Sequence, residues 1–304
     1  MNIAIAGGSG LIGSALTEYL TKQGYTVYIL TRDATNKPVK DDVRYVEWLH
    51  DDATPEKELQ DVEAVINLAG ESIGSGRWTE ERKRAILDSR IQSTRAVIDL
   101  IKHLTPTLRV LVNASAIGYY GHSASATFTE DSEPVDDSYL TTVVNSWEKE
   151  AAKARDFGVR VAFCRLGIVL DEKEGALPKM LLPYKLFTGG NLGTGEQWMS
   201  WIHMDDVVRL FTFAIEHSTI NGPLNVTAPT PVRMKEFGQT LASVLNRPHW
   251  FPTPAFLLKI ALGEMSTLVL DGQKVLPKKS TDFDYTFQYA TLKSALTDTL
   301  QGKK

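Results

Sequence analysis

The run Asn2-Ile-Ala-Ile-Ala6, followed by Gly7-Gly-Ser-Gly-Leu-Ile-Gly13, decides the fold of this chain. A short apolar run, a glycine-rich turn and an amphipathic pattern from Ser14 onward predict a buried strand, a tight turn and a helix. Glycines in such a turn permit close approach of backbone to a pyrophosphate, and the free N–H groups of the helix favour the anion. A turn that binds no ligand is the alternative. We predict that a dinucleotide phosphate lies on Gly7, Gly8, Ser9, Gly10, Leu11, Ile12 and Gly13.

Strand and helix patterns alternate through the first two-thirds of the chain. Strands rich in Val, Ile and Leu that are separated by helices predict an α/β fold, a Rossmann-type doubly wound parallel sheet covered on both faces. Gly24 and Gly158 fall just after predicted helices, where a left-handed cap requires glycine. The predicted strands are 2–6, Thr26–Leu30, Arg44–Trp48, Ala64–Leu68, Arg109–Ala114 and Arg160–Leu166, and the predicted helices are 11–23, 79–103 and 140–156.

The pattern changes after Leu170. Glycine, proline and scattered aromatic residues predict a loop with a short helix over 171–199, and clustered prolines follow Ala228. Further strands are predicted at Ser200–His203 and Pro223–Val226, and helices at Met204–His217, 234–245 and 254–270. We predict a dinucleotide-binding domain made of residues 1–172 plus 200–227, and a smaller C-terminal substrate-capping lobe made of 173–199 plus 228–304.

Composition excludes several classes of function. The formal net charge is −4 and no long block of like charge occurs, so we expect no nucleic-acid or membrane partner. The single cysteine, Cys164, lies in an alternating strand pattern, which predicts a packed thiol in a reducing compartment. The histidines show no metal-ligand spacing, and no metal is expected. The chain begins with a core strand, so we expect a cytoplasmic protein without a signal peptide. The partners that we expect are a small-molecule substrate and, in a homodimer, a second copy of the chain.

The end of the second predicted strand selects the nucleotide. NAD-binding units place an acid about 20 residues after the last glycine, where it holds the ribose 2′-hydroxyl. Here Thr31 takes that position and Arg32 offers a guanidinium to a 2′-phosphate, which predicts NADP(H). Asp33 serves as the acid if the register differs by two residues. Leu68, Ala69 and Gly70 end the fourth strand with small residues beside the adenosine ribose, and Ser115 ends the fifth.

These motifs resemble the extended short-chain dehydrogenase/reductases, and within them an atypical epimerase-like branch. The resemblance implies an NADP-binding main domain, a C-terminal lobe closing over a substrate cleft, and cofactor contacts from Arg90, Ser115 and Gly167. It is carried by Gly7–Gly13, Asn67–Gly70, Ser115–Gly121, Arg165–Leu170, Trp198–Asp206 and the proline-rich tail from 228.

The resemblance also implies a Tyr-x-x-x-Lys pair, because residues i and i+4 share a helix face and the ammonium lowers the phenol pKa. That pair is missing: Tyr139 is followed by Val143, and Lys149 is preceded by Asn145. The candidate catalytic residues are then Ser115 to orient substrate, with Tyr119, Tyr120 or Glu148 to move the proton.

Each candidate has a structural alternative. The two tyrosines could instead pack under the second lobe, and Glu148 could be a solvated helix residue. His203 is favoured as a hydrogen-bonded structural residue. Two functions follow: an NADP(H)-dependent oxidoreductase or epimerase-like enzyme acting on a small carbonyl or sugar-type substrate, or an NADPH-binding sensor or interaction protein without chemistry.

Overall fold

A computed structural model describes residues 1–35, 37–38, 40–50, 52–104 and 107–302. The strands are β1 (Asn2–Ala6), β2 (Thr26–Thr31), β3 (Val43–Glu47), β4 (Val62–Asn67), β5 (Val110–Ala116), β6 (Thr127–Phe128), β7 (Arg160–Leu166), β8 (Ile168–Leu170), β9 (Trp198–Met199), β10 (Trp201–His203), β11 (Gly222–Val226), β12 (Val232–Arg233) and β13 (Lys274–Val275).

The helices are α1 (Leu11–Lys22), α2 (Pro55–Glu58), α3 (Glu80–Leu104), α4 (Tyr139–Ala151), α5 (Leu177–Lys185), α6 (Met204–Glu216), α7 (Met234–Leu245), α8 (Ala255–Leu262), α9 (Thr267–Leu270), α10 (Lys278–Asp282) and α11 (Leu292–Gln301). Short 3-10 segments occupy Ile117–Tyr120, Ala152–Phe157 and Gly263–Ser266.

The main sheet has seven parallel strands in the order β11-β7-β5-β4-β1-β2-β3. The direction of winding reverses between β1 and β4, and ligands of doubly wound sheets bind outside the carboxyl ends of the strands at such a reversal. The predicted α/β class with a parallel Rossmann-type sheet is confirmed.

Apolar cores cover both faces of the sheet. On one face Leu16 and Leu20 of α1 and Phe211 of α6 pack on alternate strand residues, and on the other face Val97 and Ile101 of α3 do so. A separate core joins α5, α7 and α11 around the fully buried ring of Trp201. The carboxyl ends of the strands lie between the cores that cover the two faces of the sheet.

The predictions for Gly24, Gly158 and Cys164 are confirmed. Gly24 and Gly158 have φ values of +81° and +75°, as left-handed caps require. Cys164 is fully buried, and burial raises the pKa of its thiol. Among the described residues no helix is long and apolar enough to cross a membrane.

The C-terminal tail differs from its prediction. The single helix predicted over 254–270 is wrong, because Gly263 has φ +61° and ends α8, after which a 3-10 turn leads into α9. Helices α10 and α11 were not predicted. The start of α11 carries a readable signal, since the Thr291 side chain accepts the Ser294 N–H at its N-terminus.

Candidate cofactor and active site

The glycine turn joins β1 to α1 at the reversal point of the sheet. Gly7 has φ +80°, and a Cβ built on it lies 2.9 Å from the Leu68 carbonyl carbon. A Cβ on Gly13 lies 2.4 Å from the Gly7 carbonyl oxygen, so this position admits only glycine. A Cβ on Gly10 meets no protein atom closer than 3.5 Å, and no side chain caps the start of α1. The turn therefore offers uncapped N–H groups and open space, as a bound pyrophosphate requires.

The end of β4 forms the neighbouring wall of this turn. The Asn67 amide donates hydrogen bonds to Thr94 Oγ1 at 3.0 Å and to Asn113 Oδ1 at 2.7 Å, and its Oδ1 accepts the Ala69 N–H. These buried bonds fix the path of the chain over Leu68, Ala69 and Gly70. The backbone of this segment passes close to Gly7.

Arg90 projects from α3 toward the same wall. Its Nη1 donates to the carbonyl oxygens of Glu71 and Ile86 at 3.0 and 2.9 Å, and its guanidinium lies 5.1 Å from the Trp147 ring centroid. A Cβ on Gly70 lies 3.0 Å from Arg90 Cγ. Burial lowers the pKa of Arg90 to about 10, so it stays charged at neutral pH. The structure thus brings Arg90 beside the predicted cofactor residues.

The end of β2 places Arg32 level with the glycine turn. The register pairs Ala6 with Leu30, so Thr31 and Arg32 follow at the height of Gly7 and Gly8. The Arg32 side chain is exposed and has no hydrogen-bond or ion-pair partner among the described residues.

Asp33, the competing candidate, is engaged within its own turn. Its Oδ1 accepts the Thr35 N–H at 2.8 Å as well as the Thr35 hydroxyl, and these bonds lower the pKa of Asp33. The Thr31 hydroxyl donates to the Asp33 carbonyl oxygen at 3.0 Å. The guanidinium is therefore the uncommitted group at this strand end.

A buried polar network lies below the carboxyl ends of β5 and β7. Ser115 Oγ donates to Glu148 Oε1 at 2.5 Å, and Arg165 donates to both Glu148 oxygens at 2.8 Å. The side chains of Arg165 and Glu148 are only 4% and 9% exposed. Despite its own burial, Arg165 has a pKa raised by Glu148, which keeps the guanidinium charged. Glu148 is thus a member of a closed ion pair rather than a solvated helix residue.

The chain is similar to known proteins along its whole length. The family model described as the NAD dependent epimerase/dehydratase family matches residues 3–227. The chain belongs to this family. A second model, a domain of unknown function designated DUF1731, matches residues 253–299. The epimerase family protein YfhF of Bacillus subtilis is 48% identical over the whole chain and 99% of its own length, and an epimerase family protein of Staphylococcus haemolyticus is 43% identical over 98% of both chains.

Solved structures agree with this assignment. The human epimerase family protein SDR39U1 (isoform 2), determined with NADPH, is 30% identical, has a TM-score of 0.85 and covers 98% of both chains. A UDP-glucuronic acid 4-epimerase from Bacillus cereus has a TM-score of 0.77 at 18% identity over 99% of both chains, a likeness of fold alone. The predicted resemblance to epimerase-like short-chain dehydrogenase/reductases is confirmed, and the chain is an NAD(P)-binding protein of that family.

The helix that carries the usual Tyr-x-x-x-Lys pair presents an apolar face in this family member. A Cβ on Gly118 lies 3.3 Å from Leu140 Cβ and 3.9 Å from Val144 Cγ2, so these two residues, at i and i+4, turn toward the end of β5. Tyr139 instead donates to the Lys83 carbonyl oxygen at 2.9 Å and packs edge-on against Trp78. It therefore points toward the α3 side.

The two candidate tyrosines have different surroundings. The Tyr120 ring is fully buried and stacks on Phe128, and its hydroxyl donates to Asn225 Oδ1 at 2.7 Å. Burial raises its pKa to about 12. Tyr119 is half-buried, with the Arg165 guanidinium carbon 3.3 Å from its ring centroid, and burial raises its pKa too. Both packing arrangements disfavour ionisation near neutral pH.

His203 lies outside this network. Its Nδ1 accepts the Asp205 N–H at 3.1 Å at the start of α6, so Nε2 carries the proton, 3.3 Å from Asp298 Oδ2. Asp205 and Asp298 therefore lie near one ring, a proximity that sequence spacing did not predict. These hydrogen bonds explain His203 as the residue that caps the start of α6.

The remaining predicted cofactor residue, Gly167, follows β7. Its N–H donates to the Val226 carbonyl oxygen at 3.0 Å, and a Cβ there lies 2.7 Å from the Ser200 carbonyl oxygen. Sequence reasoning missed the roles of Arg165 and Asn225. A charged residue in the otherwise apolar run Phe163-Cys-Arg-Leu166 was the available signal for Arg165, because buried charges need partners.

Proposed function

We propose that this protein is an NADP(H)-dependent oxidoreductase of epimerase-like type, acting on a small carbonyl or sugar-type substrate without a Tyr-x-x-x-Lys pair. The observation that carries the cofactor choice is the Arg32 guanidinium, which has no partner within the described part of the chain and lies level with Gly7 and Gly8, while Asp33 is engaged by Thr35. The NADPH in the SDR39U1 structure supports the same choice. Gly7 to Gly13 hold the pyrophosphate, and Arg90 supplies a positive charge beside Gly70.

Bound NADP(H) would donate a hydride to a carbonyl or, in its oxidised form, accept one from an alcohol, and the chain supplies the proton path. Because the Ser115 hydroxyl donates its hydrogen bond to Glu148, the lone pairs of Ser115 Oγ are free to accept a hydrogen bond from a substrate hydroxyl. In alcohol oxidation the substrate proton moves to Ser115 Oγ, the serine proton moves to Glu148 and the hydride leaves for the oxidised cofactor; carbonyl reduction runs the same proton transfers in reverse, from protonated Glu148 through Ser115 to the substrate oxygen. Tyr119 and Tyr120, whose rings pack on Arg165 and Phe128, are the weaker candidates for this step.

A non-catalytic NADPH-binding sensor is the second candidate function. It is favoured by the closure of the network, since both Glu148 oxygens are engaged and Ser115 is 2% exposed. The apolar pair Leu140 and Val144 adds to this argument, because it replaces the usual acid and base. Such a protein binds the cofactor tightly and transfers no hydride.

Two measurements on the purified protein separate these functions. We expect NADPH to bind at least tenfold more tightly than NADH, as judged by enhancement of nicotinamide fluorescence. With deuterium at C4 of the cofactor and a panel of carbonyl compounds, we expect stereospecific transfer of label to a substrate. Equal affinities would overturn the NADP(H) assignment. Tight NADPH binding with no label transfer across the panel would favour the sensor.

A further inference from the structure

Helix α8 carries an exposed apolar surface that the dinucleotide site does not use. Its sequence, Ala255-Phe-Leu-Leu-Lys-Ile-Ala-Leu262, is apolar nearly all round, yet none of its residues is buried. A helix with this composition is ordinarily enclosed by protein or by lipid. Phe256 and Ile260 are 61% and 69% exposed.

A second segment extends this surface. Trp250 donates from its backbone N–H to the Gly189 carbonyl oxygen and from its indole Nε1 to the Phe187 carbonyl oxygen, both at 2.9 Å. The residue pair Leu192 and Thr253 continues the contact as a bridge. We define the apolar patch as Leu186, Phe187, Trp250, Phe251, Phe256 and Ile260, each more than half exposed.

Within the two segments of sequence that form the apolar patch, the charged side chains are all positive. No acidic residue occurs between Glu174 and Glu196, or between Glu236 and Glu264. The same two segments contain Lys179, Lys185, Arg247 and Lys259. Burial lowers the pKa of His249, which lies between Tyr184 and Asn191, so this histidine does not change the balance near neutral pH. Glu264, the nearest acid after α8, is paired with Lys83 at 3.0 Å.

Exposed aromatic side chains beside positive charges indicate the kind of surface that the patch binds. We propose that the apolar patch docks this protein onto an anionic phospholipid surface, with the aromatic side chains in the interface and Lys185, Arg247 and Lys259 against the headgroups. Exposed Trp and Phe flanked only by Lys and Arg are what such a surface attracts. A two-fold dimer through the same patch would bring the cations of two copies into one interface, to which these two segments contribute no acid. The overall charge of −4 hides this local excess of positive charge.

Vesicle flotation with the full chain tests the proposal. We expect binding to phosphatidylcholine vesicles that contain about one-third phosphatidylglycerol, little binding to phosphatidylcholine alone, and release by added salt. Lys259→Gln should weaken the partition coefficient about fivefold, and Phe256→Ser about tenfold or more. The matched controls are Lys293→Gln and Val135→Ser, which change exposed residues outside the patch and should bind like the parent.

Stability and NADPH affinity are measured for each variant, so that misfolding is recognised. Loss of vesicle binding with both unchanged supports the proposal. Equal binding to neutral and anionic vesicles, or no binding to either, overturns it. Concentration-dependent dimerisation in light scattering that Ile260→Ser abolishes, without vesicle binding, assigns the patch to a second copy instead.

Discussion

Ser115 Oγ and Glu148 Oε1 lie 2.5 Å apart, and the carboxylate that accepts this hydrogen bond also accepts one from Arg165. This hydrogen bond determines whether the Ser115 hydroxyl donates to a ligand or accepts from it. While its hydroxyl donates to ionised Glu148, Ser115 accepts a hydrogen bond from a substrate hydroxyl, and it donates to a carbonyl oxygen when Glu148 carries the proton in the reverse reaction. The helix that positions Glu148 carries no Tyr-x-x-x-Lys pair, so Ser115 and Glu148 are the polar groups to which we assign the proton transfer.

The role of Ser115 is tested by Ser115→Ala. If Ser115 and Glu148 move the proton, hydride transfer should fall about a hundredfold or more, as expected for a lost acid–base group. The affinity for NADPH should fall far less than the rate of hydride transfer, since the glycine turn is untouched. Stopped-flow absorbance of NADPH with an active substrate measures the rate. A transfer rate equal to that of the parent would remove Ser115 from the mechanism.

The buried pair of Glu148 and Arg165 should dominate stability at this end of the sheet. Replacing one partner leaves the other charge buried and unpaired, so Arg165→Met should cost about 3 kcal/mol of unfolding free energy. The double variant Arg165→Met with Glu148→Leu removes both charges and should lose clearly less than the sum of the single variants. Urea unfolding of all four proteins measures the coupling. Additive losses would contradict an ion pair that acts as a unit.

The sequence predicted the sheet well because each strand carries its own apolar signal. The strand predicted at Arg160–Leu166 has the observed bounds, and the first helix ends one residue before its predicted end. The network around Glu148 was not predictable, because residues distant in sequence meet only when β5, α4 and β7 are assembled. Helix α8 ends because Gly263 has a positive φ. The apolar run of that helix gave no sign of this break. Patterns along a chain predict elements, whereas side-chain pairing depends on their packing.

The glycine turn allows binding and folding to be separated. Gly10→Ala adds a methyl group 3.5 Å from the nearest protein atom, so stability should change little while NADPH affinity falls at least tenfold, because the methyl takes the space of the pyrophosphate. Gly13→Ala places its methyl 2.4 Å from the Gly7 carbonyl oxygen and should lose both affinity and stability. Thermal melts and fluorescence titrations distinguish the two. Normal NADPH binding by Gly10→Ala would place the pyrophosphate elsewhere.

Arg32 should set the preference between nucleotides. Removing a charge-assisted bond to the 2′-phosphate costs about 1.5–3 kcal/mol, so Arg32→Ala should weaken NADPH binding about ten- to a hundredfold. NADH lacks the phosphate, and its affinity should change little. Arg84→Ala, an exposed arginine on α3, is the matched control. A parallel loss of both nucleotides in Arg32→Ala would indicate a role in structure rather than in phosphate recognition.

Asp136 should give the fold a defined acid sensitivity. Burial raises the pKa of this carboxyl, but hydrogen bonds from the N–H groups of His122 and Ser138 and from the Thr141 hydroxyl outweigh it and lower the pKa to about 2. Since the unfolded value is about 4, the stabilisation is fully present above that pH and is lost as pH falls toward 2.

Asp136→Asn should therefore melt below the parent near neutral pH, and the difference in Tm should shrink as pH falls from about 4 to about 2. The physical reason is that these bonds hold the N-terminus of α4, where Ser138 also caps the helix. Asp137→Asn, at the exposed neighbouring position, controls for charge alone and should show no such convergence. Melting curves across this range measure both. A Tm difference between Asp136→Asn and the parent that does not vary with pH would mean that the ionised carboxylate is not what stabilises the helix start.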